Sequence, residues 1–441
     1  MSIIKPFRGI RYARDAEGGL SRLIAPPYDV ISEEERKSLA AKSPHNIVRL
    51  ILPEGAAEGQ RDRYTIAGET WRHWQDRGVL ARDKTPAIYR YNMSFEVKTP
   101  EGIETRERPG FVASLKLCEY DEEKVLPHER TMKGPKEDRF KLILASRAQF
   151  SQIFMLYRDP EANVDSALDS APAEGKMECE DDAGVTHTMW PVTDPEVIDA
   201  VTSAIGEGPV YIADGHHRYE TSLAINRFLN EKTPLFTGES DRVMAYFTPA
   251  PSEGLVVFPY HRLIKGLPKR RMSGLRKRLE ELFRVEPALM SPLDPGPSRR
   301  EFVSGLTEHG KNGPVFGMVD ASGKAYYLAL KEGTDLYRSC ESEVEMVLCG
   351  LDVVVLEDLV LIAKLGMKHK DLISGKYVSY ETDYDRVLDR MREDGAQLAF
   401  LVNPTPVEDV LKVADLHGTM PEKSTYFFPK LATGLVMNSI D

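Results

Sequence analysis

A strand that turns on a glycine directly into a helix is the feature that most limits what this chain can fold into. In residues 209–226, PVYIADGHHRYETSLAIN, the run VYI at 210–212 is typical of a buried strand. Asp214 and Gly215 then interrupt the strand, and the apolar spacing that follows indicates a helix. The first backbone N–H groups of such a helix have no partner within the helix, so this turn predicts an anion site.

The same turn carries three side chains that can donate hydrogen bonds to oxygen, namely His216, His217 and Arg218. An arginine can bind a phosphate through two parallel bonds. The plain alternative is an Asp-Gly turn whose histidines cap the helix or fill the core, and for any single residue that interpretation is preferred. The five residues from Asp214 to Arg218 together favour a phosphate or carboxylate site.

Composition and charge exclude several classes of function. At 441 residues, with 41% hydrophobic and 29% charged residues, the chain is typical of a soluble protein of two or three domains. A formal net charge of -11 argues against a general nucleic-acid binder. The four cysteines form no CxxC pair, which indicates a reduced, cytoplasmic compartment. The most apolar stretch, 346–365, is interrupted by carboxylates, so no membrane span is predicted.

Strand and helix signals mix along the whole chain and predict an α/β (α+β) fold in three parts. These are an N-terminal α/β domain at 1–120, a core at 121–250 and a C-terminal α/β domain at 251–441. An amphipathic helix is predicted at 61–77, and the β-branched run after Asn46 predicts a strand at 47–51.

A second polar stretch, VLPHERTMKGPKEDRFKLILASR at 125–147, places His128 and Glu129 where an extended segment meets a loop. Three cations follow at close spacing: Lys133, Lys136 and Arg139. The plain alternative is a solvated helix start with intrahelical ion pairs. Phosphoryl transfer, however, needs cations around the moving group and a carboxylate to accept the proton of the acceptor hydroxyl, and this stretch supplies both.

The C-terminal run MPEKSTYFFPK at 420–430 offers a further candidate anion-binding set, comprising Lys423, Ser424, Thr425 and Lys430. An equally weighted alternative is that its aromatic residues fill a core while the lysines stay in water. Asp29, which follows the paired prolines at 26–27, is a further candidate binding residue.

Four blocks of this sequence, APPYDVI, LPHERTMKGPKEDR, ADGHHRYETSLA and MPEKSTYFFPKL, resemble the signature blocks of one bacterial and archaeal family. That family is catalogued as a domain of unknown function and loosely labelled ParB-like. The resemblance covers the chain nearly end to end. It implies a central ParB/sulfiredoxin-like mixed-sheet unit flanked by N- and C-terminal α/β parts.

The DGHHR turn is similar to the turn with which the wider ParB/sulfiredoxin-like superfamily binds nucleotide phosphates. One branch of that superfamily consists of free-serine kinases, in which a glutamate in a PHE-like tripeptide is the base, and residues 127–129 resemble that tripeptide. The resemblance therefore implies catalytic roles for His128, Glu129 and Asp214. It implies phosphate or nucleotide contacts for Gly215, His216, His217, Arg218, Lys133, Lys136 and Arg139.

Three hypotheses follow. The first is a phosphotransferase, most specifically a free L-serine kinase that forms O-phosphoserine from ATP, ADP or another donor with Mg²⁺; the chain lacks GxxxxGK[ST], so it is not a P-loop enzyme. The second is a ParB-like nucleotide-binding protein that works with DNA or a protein partner. The third is a metal-dependent hydrolase using His128, Glu129, His216 and His217, with no metal assigned.

Overall fold

The chain forms two compact units, each with its own core. Unit 1 comprises Met1–Pro127, Thr131–Leu255 and Pro429–Asp441, and unit 2 comprises His128–Arg130 and Val256–Phe428. The structure, a computed structural model, describes residues 2–13, 19–55, 62–99, 102–129, 131, 133–206, 208–232, 238–289, 291–334 and 343–441.

The elements are numbered along the chain. The strands are β1 Ile4–Lys5, β2 Ile10–Tyr12, β3 Leu80–Arg82, β4 Ile88–Thr99, β5 Gly102–Arg108, β6 Phe111–Lys116, β7 Val125–Leu126, β8 Ala148–Gln149, β9 Ile153–Tyr157, β10 Met177–Glu180, β11 Thr186–Val192, β12 Val210–Asp214, β13 Arg242–Pro249, β14 Val256–Phe258, β15 His261–Ile264, β16 Phe283–Pro287, β17 Val315–Asp320, β18 Ala325–Leu330, β19 Val378–Glu381, β20 Leu398–Val402, β21 Tyr426–Phe428 and β22 Asn438–Ser439. The α-helices are α1 Glu33–Lys42, α2 Val48–Ile51, α3 Arg63–Asp76, α4 Lys133–Ser146, α5 Asn163–Asp169, α6 Pro195–Ile205, α7 His216–Lys232, α8 Lys269–Met272, α9 Leu275–Leu279, α10 Pro297–Gly310, α11 Glu343–Cys349, α12 Asp352–Val355, α13 His369–Ile373, α14 Tyr384–Glu393 and α15 Val407–Asp415. Short 3₁₀ turns lie at Leu20–Arg22, Tyr28–Val30 and Tyr120–Glu122, and a π-helix at Leu356–Lys364.

The centre of unit 1 is a large mixed sheet. Its described strands follow the order β10-β11-β4-β6-β13-β9-β12-β7, with β1 added at β6 and β5 at β4. The β12–β7 and β13–β9 pairs are parallel, and the other described pairs are antiparallel. This confirms the predicted mixed α/β fold with a mixed sheet.

Helix α7 is held against this sheet by its apolar face. Tyr219 and Leu223 are buried in the same hydrophobic cluster as Ile153 of β9 and Ile212 of β12. The Tyr219 hydroxyl also donates to the carbonyl of Cys118 at 2.8 Å and accepts from its N–H at 3.0 Å. The start of α7 is therefore fixed within its first turn, which limits where the preceding loop can lie.

The predicted helix at 61–77 is confirmed as α3, but the predicted strand at 47–51 is wrong. Those residues form the short helix α2. The Asn46 side chain explains the difference, because its Oδ1 accepts from the Val48 N–H at 2.9 Å and its Nδ2 donates to the Ile24 carbonyl at 3.0 Å. Such an asparagine starts a helical turn, and the tertiary contact outweighs the β-branched run that follows.

The last segment of the chain, Pro429–Asp441, belongs to unit 1 although the preceding residues belong to unit 2. It pairs through Thr433 with Ala25, through Met437 with Ile10, and through β22 with β8. Thr433 and Met437 are fully buried. The segment therefore completes the core of unit 1.

Unit 2 is built on an antiparallel sheet with the order β16-β18-β17-β20-β15-β19. Hydrophobic clusters pack on it, one with the π-helix and α9, the other with α10 and α14. A second small ladder joins β14 to β21.

The predicted three-part division of the chain stays a prediction. Its boundary near 250 falls close to the unit boundary after Leu255, and its boundary near 120 falls inside unit 1. Among the described helices, none combines the length and apolar character that a bilayer crossing requires.

Candidate functional site

The site in unit 1 is built on the elbow between β12 and α7, and the predicted strand, glycine turn and helix are confirmed here. Gly215 has φ +96°, a left-handed conformation that residues with a side chain rarely adopt. A Cβ at this position would lie 2.9 Å from Nε and Nη2 of Arg218. The backbone conformation therefore favours glycine, and a side chain at this position would also displace the Arg218 guanidinium.

A 17-residue helix, α7, begins directly after the elbow. The Tyr219 N–H donates to the Gly215 carbonyl at 3.0 Å, which begins the helical ladder. The backbone N–H groups of His216, His217 and Arg218 precede that bond, and first-turn N–H groups have no acceptor within their own helix. Together with the helix dipole, they make this end of α7 suited to an anion.

Asp214, the last residue of β12, binds two cations. Its Oδ2 accepts from Arg218 Nη2 at 2.7 Å, and its Oδ1 accepts from Lys430 Nζ at 2.7 Å. Burial alone raises the pKa of Asp214, but Lys430, then Arg218 and His216, outweigh that effect and hold the pKa well below its ordinary value. Asp214 is therefore a carboxylate at neutral pH, and one of its cations comes from the distant C-terminal segment.

Arg218 is turned inward. Its Nη1 donates to the Gln152 backbone carbonyl and its Nη2 to Asp214, and the residue is 9% exposed. In this structure the guanidinium thus ties the elbow to the residue that precedes β9. Its binding of phosphate stays a prediction.

Gln152 is a residue that the sequence patterns did not single out. It is fully buried at the elbow, where its carbonyl receives Arg218, and among the described residues neither its Oε1 nor its Nε2 has a hydrogen-bond partner. A buried amide without partners costs free energy, on the order of 1–3 kcal/mol. Such a group is often found where a water or a ligand completes the site.

Helix α4 brings Lys136 to the first turns of α7. Lys136 Nζ donates to Glu220 Oε2 at 2.6 Å and to Thr131 Oγ1 at 3.1 Å, and the Thr131 hydroxyl donates to the same Glu220 oxygen at 2.6 Å. Glu220 and Thr131 were missed by the sequence analysis, because nothing in the local pattern shows which cation a carboxylate on the next helix will meet. Lys133 opens α4, and its side chain lies outside the described residues.

Arg139, one turn further along α4, is buried and fully engaged. Its Nη1 donates to the Ile51 carbonyl at 2.8 Å, and its Nε donates to Asp138 Oδ2 at 2.9 Å. The guanidinium carbon lies 4.0 Å from the centroid of the Tyr28 ring, a cation–π contact. Arg139 therefore joins α4 to the turn that follows the paired prolines.

Tyr28, in that turn, is close enough to Arg218 of the elbow for the charge of Arg218 to affect the pKa of the Tyr28 phenol. Burial raises the pKa of the Tyr28 phenol, Asp29 raises it further, and Arg139 and Arg218 act in the opposite direction. Asp29 itself is exposed. The predicted binding role of Asp29 stays a prediction, and Tyr28 is the neighbour that the structure adds.

His128 and Glu129 lie in unit 2, together with the C-terminal KST run at 423–425. His128 is buried, its Nε2 lies 3.3 Å from Thr425 Oγ1, and its carbonyl accepts from the Met420 N–H at 2.8 Å. Glu129 forms a parallel bridge with Met420. Two sequence-predicted sets, at 128–129 and 423–425, are thus brought together within this unit.

The remaining members of the C-terminal set have different surroundings. Ser424 is buried and donates from its hydroxyl to the Pro421 carbonyl at 2.6 Å. Lys423 is exposed, with φ +60° and its ammonium 5.1 Å from the centroid of the Tyr260 ring. Lys430 belongs to unit 1, where it binds Asp214. Across the described parts of both units, no group of three or more His, Cys, Asp or Glu residues has the arrangement of a metal site.

The chain belongs to the DUF1015 family, described as a protein of unknown function, whose model matches residues 4–354. This confirms the predicted membership in a family of unknown function, and the ParB-like label stays a prediction. No curated protein matches the chain.

The chain is similar to several solved structures over about three quarters of its length. A free serine kinase mutant in complex with AMP is 14% identical with a TM-score of 0.37, covering 74% of this chain and 92% of the other. A conserved hypothetical protein from Pyrococcus furiosus is 13% identical with a TM-score of 0.35, covering 74% and 95%. SbnI with a C-terminal truncation, from Staphylococcus aureus, is 10% identical with a TM-score of 0.34, covering 73% and 85%. Likenesses at this level carry no argument about function.

Proposed function

We propose that this member of the DUF1015 family is a cytoplasmic phosphotransferase acting on a small hydroxyl-bearing metabolite, with free L-serine as the first candidate. The observation that carries the proposal is the elbow at Gly215. There, first-turn N–H groups lie beside a carboxylate whose negative charge is already neutralised by Arg218 and Lys430. Such a surface attracts a phosphate instead of repelling it.

The residues at the elbow fit a nucleotide phosphate. The amides of His216 and His217 are donors at a helix start, and the buried Gln152 side chain has an NH2 group that can donate and a carbonyl oxygen that can accept, both without partners among the described residues. Lys136 adds a positive charge beside the same helix. A nucleotide bound here would supply the transferable phosphoryl group, and its Mg²⁺ would neutralise phosphate charge.

We assign the role of general base to Glu129. In the proposed reaction the serine hydroxyl oxygen bonds to the terminal phosphorus, the bond from that phosphorus to the leaving oxygen breaks, and the hydroxyl proton passes to the Glu129 carboxylate. A base in this role contributes about 10²–10⁴ in rate.

The test is a product assay on the whole purified chain. L-serine is incubated with Mg²⁺ and with ATP, ADP or pyrophosphate, and O-phosphoserine is measured by mass spectrometry. We expect product with at least one donor, and a loss of about 10²-fold or more in rate for Glu129→Gln. The matched control is Glu137→Gln, which removes one exposed carboxylate from α4 and should leave the rate unchanged.

Two results would overturn this assignment. One is the absence of phosphorylated product with every donor, and the other is an unchanged rate in the Glu129→Gln variant. A DNA mobility shift that depends on nucleotide would instead support the ParB-like alternative, and stoichiometric zinc in the purified protein would support the hydrolase alternative.

A further inference from the structure

A carboxylate of the protein occupies the position where Lys136 and Thr131 could hold an anion. Glu220 Oε2 accepts from Lys136 Nζ at 2.6 Å and from Thr131 Oγ1 at 2.6 Å, and these two donors lie 3.1 Å from each other. One cation and one hydroxyl converging on a single oxygen is an arrangement that also suits a phosphate oxygen.

Glu220 lies near the positive end of α7. It is the fifth residue of the helix, three positions after His217 and four after His216, so its side chain lies over the first turn of the helix. Its negative charge therefore lies close to the first-turn N–H groups. A negative charge there opposes the binding of a second anion at the elbow.

The ion pair is placed where it can exchange partners. The side chains of Lys136 and Glu220 are 31% and 25% exposed, so water reaches both of them. A partly exposed pair contributes little net stability. A phosphate dianion offers Lys136 more charge than a carboxylate does.

We propose that the Glu220 carboxylate occupies the position of the ligand's anionic group. When the ligand binds, its anionic group displaces Glu220 from Lys136 and Thr131. Thr131 is then a further ligand-binding residue, Glu220 sets how tightly the site binds, and the ligand is a phosphate monoester or a nucleoside diphosphate. The inference rests on the proposed phosphate site at the elbow and goes beyond it, because it assigns an opposing residue to that site.

The first test is isothermal titration of the full chain with inorganic phosphate and, separately, with ADP. Glu220→Gln keeps the shape of the side chain and removes its charge, and we expect affinity for both probes to rise roughly fivefold. The matched control is Glu231→Gln, which removes the same charge from an exposed position on the same helix. That position lies about 16 Å further along the axis, beyond the screening length at physiological salt, so affinity should not change.

The second test separates displacement from simple charge repulsion. Thr131→Val keeps the volume of the side chain and removes the hydroxyl, so affinity for both probes should fall about threefold to tenfold. Thr131→Ser keeps the hydroxyl and should restore wild-type affinity. Thermal unfolding of each variant is measured as well, so that a folding defect in Thr131→Val is recognised. In that case the affinity of Thr131→Ser decides whether the hydroxyl contributes to binding.

The outcomes distinguish this inference from the function it rests on. If the wild type binds a probe and Glu220→Gln binds it equally or more weakly, the displacement is wrong and the proposed site stands. If Glu220→Gln binds more tightly while Thr131→Val is unaffected, Thr131 is not a ligand residue and the displacement is overturned. If no variant binds phosphate or ADP, the elbow site itself is refuted.

Discussion

Two half-buried aspartates, one in each unit, have pKa values shifted in opposite directions. Asp214 in unit 1 is bound by Lys430 and Arg218, and its pKa is held well below the ordinary value. Asp352 in unit 2 has neutral partners, the Asn403 amide at 3.4 Å and the Val315 N–H at 3.4 Å. Burial raises the pKa of Asp352 to about 7, and the neutral hydrogen bonds from the Asn403 side chain and from the Val315 and Asn403 backbone only partly offset that rise.

The contrast shows what distinguishes a site prepared for charge from a carboxylate that is merely enclosed. Burial disfavours the ionised form in both cases. In unit 1, Lys430 and Arg218 outweigh burial and keep Asp214 ionised. The two cations balance its negative charge, so the start of α7 lies next to a carboxylate that does not repel an anion. Neutral amides cannot reverse the effect of burial in unit 2, and the Asp352 carboxylate titrates near physiological pH. The presence of charged partners, and not the depth of burial, marks the candidate site.

The largest expected effect comes from breaking the pair in unit 1. Asp214→Asn leaves Lys430 and Arg218 without their shared counter-charge, and because the Asp214 side chain is 19% exposed we expect a loss of about 3 kcal/mol, the lower end of the range for buried pairs. The free energy of unfolding is measured by urea denaturation. Asp199→Asn, at an exposed position on α6, is the control and should cost less than about 0.5 kcal/mol. A similar small loss at position 214 would show that the two cations do not depend on this carboxylate.

A smaller effect is expected from Gly215→Ala, which would displace Arg218, one of the two cations that bind Asp214. Gly215→Ala places a Cβ 2.9 Å from the Arg218 guanidinium and forces a side chain onto φ +96°. The expected loss is about 1–3 kcal/mol of unfolding free energy. Gly208→Ala is the control, because no atom lies within 4 Å of its added Cβ. Equal stability of the two variants would mean that the elbow is not constrained as described.

The enclosed carboxylate of unit 2 predicts a pH effect. The folded-state pKa of Asp352, about 7, lies above its ordinary value of 3.8, so the folded protein holds the proton more tightly than the unfolded chain. This contribution to stability is fully present below about pH 3.8 and is lost progressively as pH rises to the folded pKa of about 7, with the last part of the loss just above that value. Between pH 6.5 and 8.5 the wild type should lose about 1 kcal/mol relative to Asp352→Asn, as measured by urea denaturation at both pH values.

Another buried group in unit 2 acts at lower pH and in the opposite direction. Burial, and then Arg262, lowers the pKa of His261 to about 3, so its contribution is lost as pH falls below about 6.5. His261 contributes equally to wild type and to Asp352→Asn, so the difference in their free energies of unfolding does not contain its contribution. If the wild type and the variant respond equally to pH, Asp352 is not the titrating group.

The smallest effect is expected at an exposed pair. Glu280 lies 3.0 Å from Arg276 one turn earlier, with side chains 45% and 58% exposed. Glu280→Gln should change the free energy of unfolding by less than about 0.5 kcal/mol, and the difference should vanish in 1 M salt. A loss as large as that at Asp214 would remove the distinction between buried and exposed charge on which the comparison depends.

The sequence predicted what local chemistry determines. The strand, glycine and helix of the elbow follow from residues that are neighbours in the chain, and so does helix α3. The error at 47–51 came from a β-branched run whose conformation is decided by hydrogen bonds of Asn46, one of them to the distant Ile24.

The partners across the fold could not be predicted in the same way. Lys430 reaches Asp214 over 216 positions, and Lys136 reaches Glu220 over 84. Local sequence runs can nominate such residues, as they did for Lys430 and Lys136, but only tertiary packing decides which carboxylate each one meets. Nothing in the local sequence singles out Gln152, because what distinguishes it is that its buried side-chain amide has no hydrogen-bond partner among the described residues.

The most direct test of the central claim is an NMR titration of the chain labelled with ¹⁵N-histidine. The ten histidines give a small set of backbone amide signals, and substitution of each elbow histidine assigns its own signal. Addition of ADP should shift the amides of His216 and His217 more than any other histidine amide, because their N–H groups bind the phosphate. If those two signals stay in place while ADP binds elsewhere, or if no signal moves at saturating ADP, the elbow is not the phosphate site.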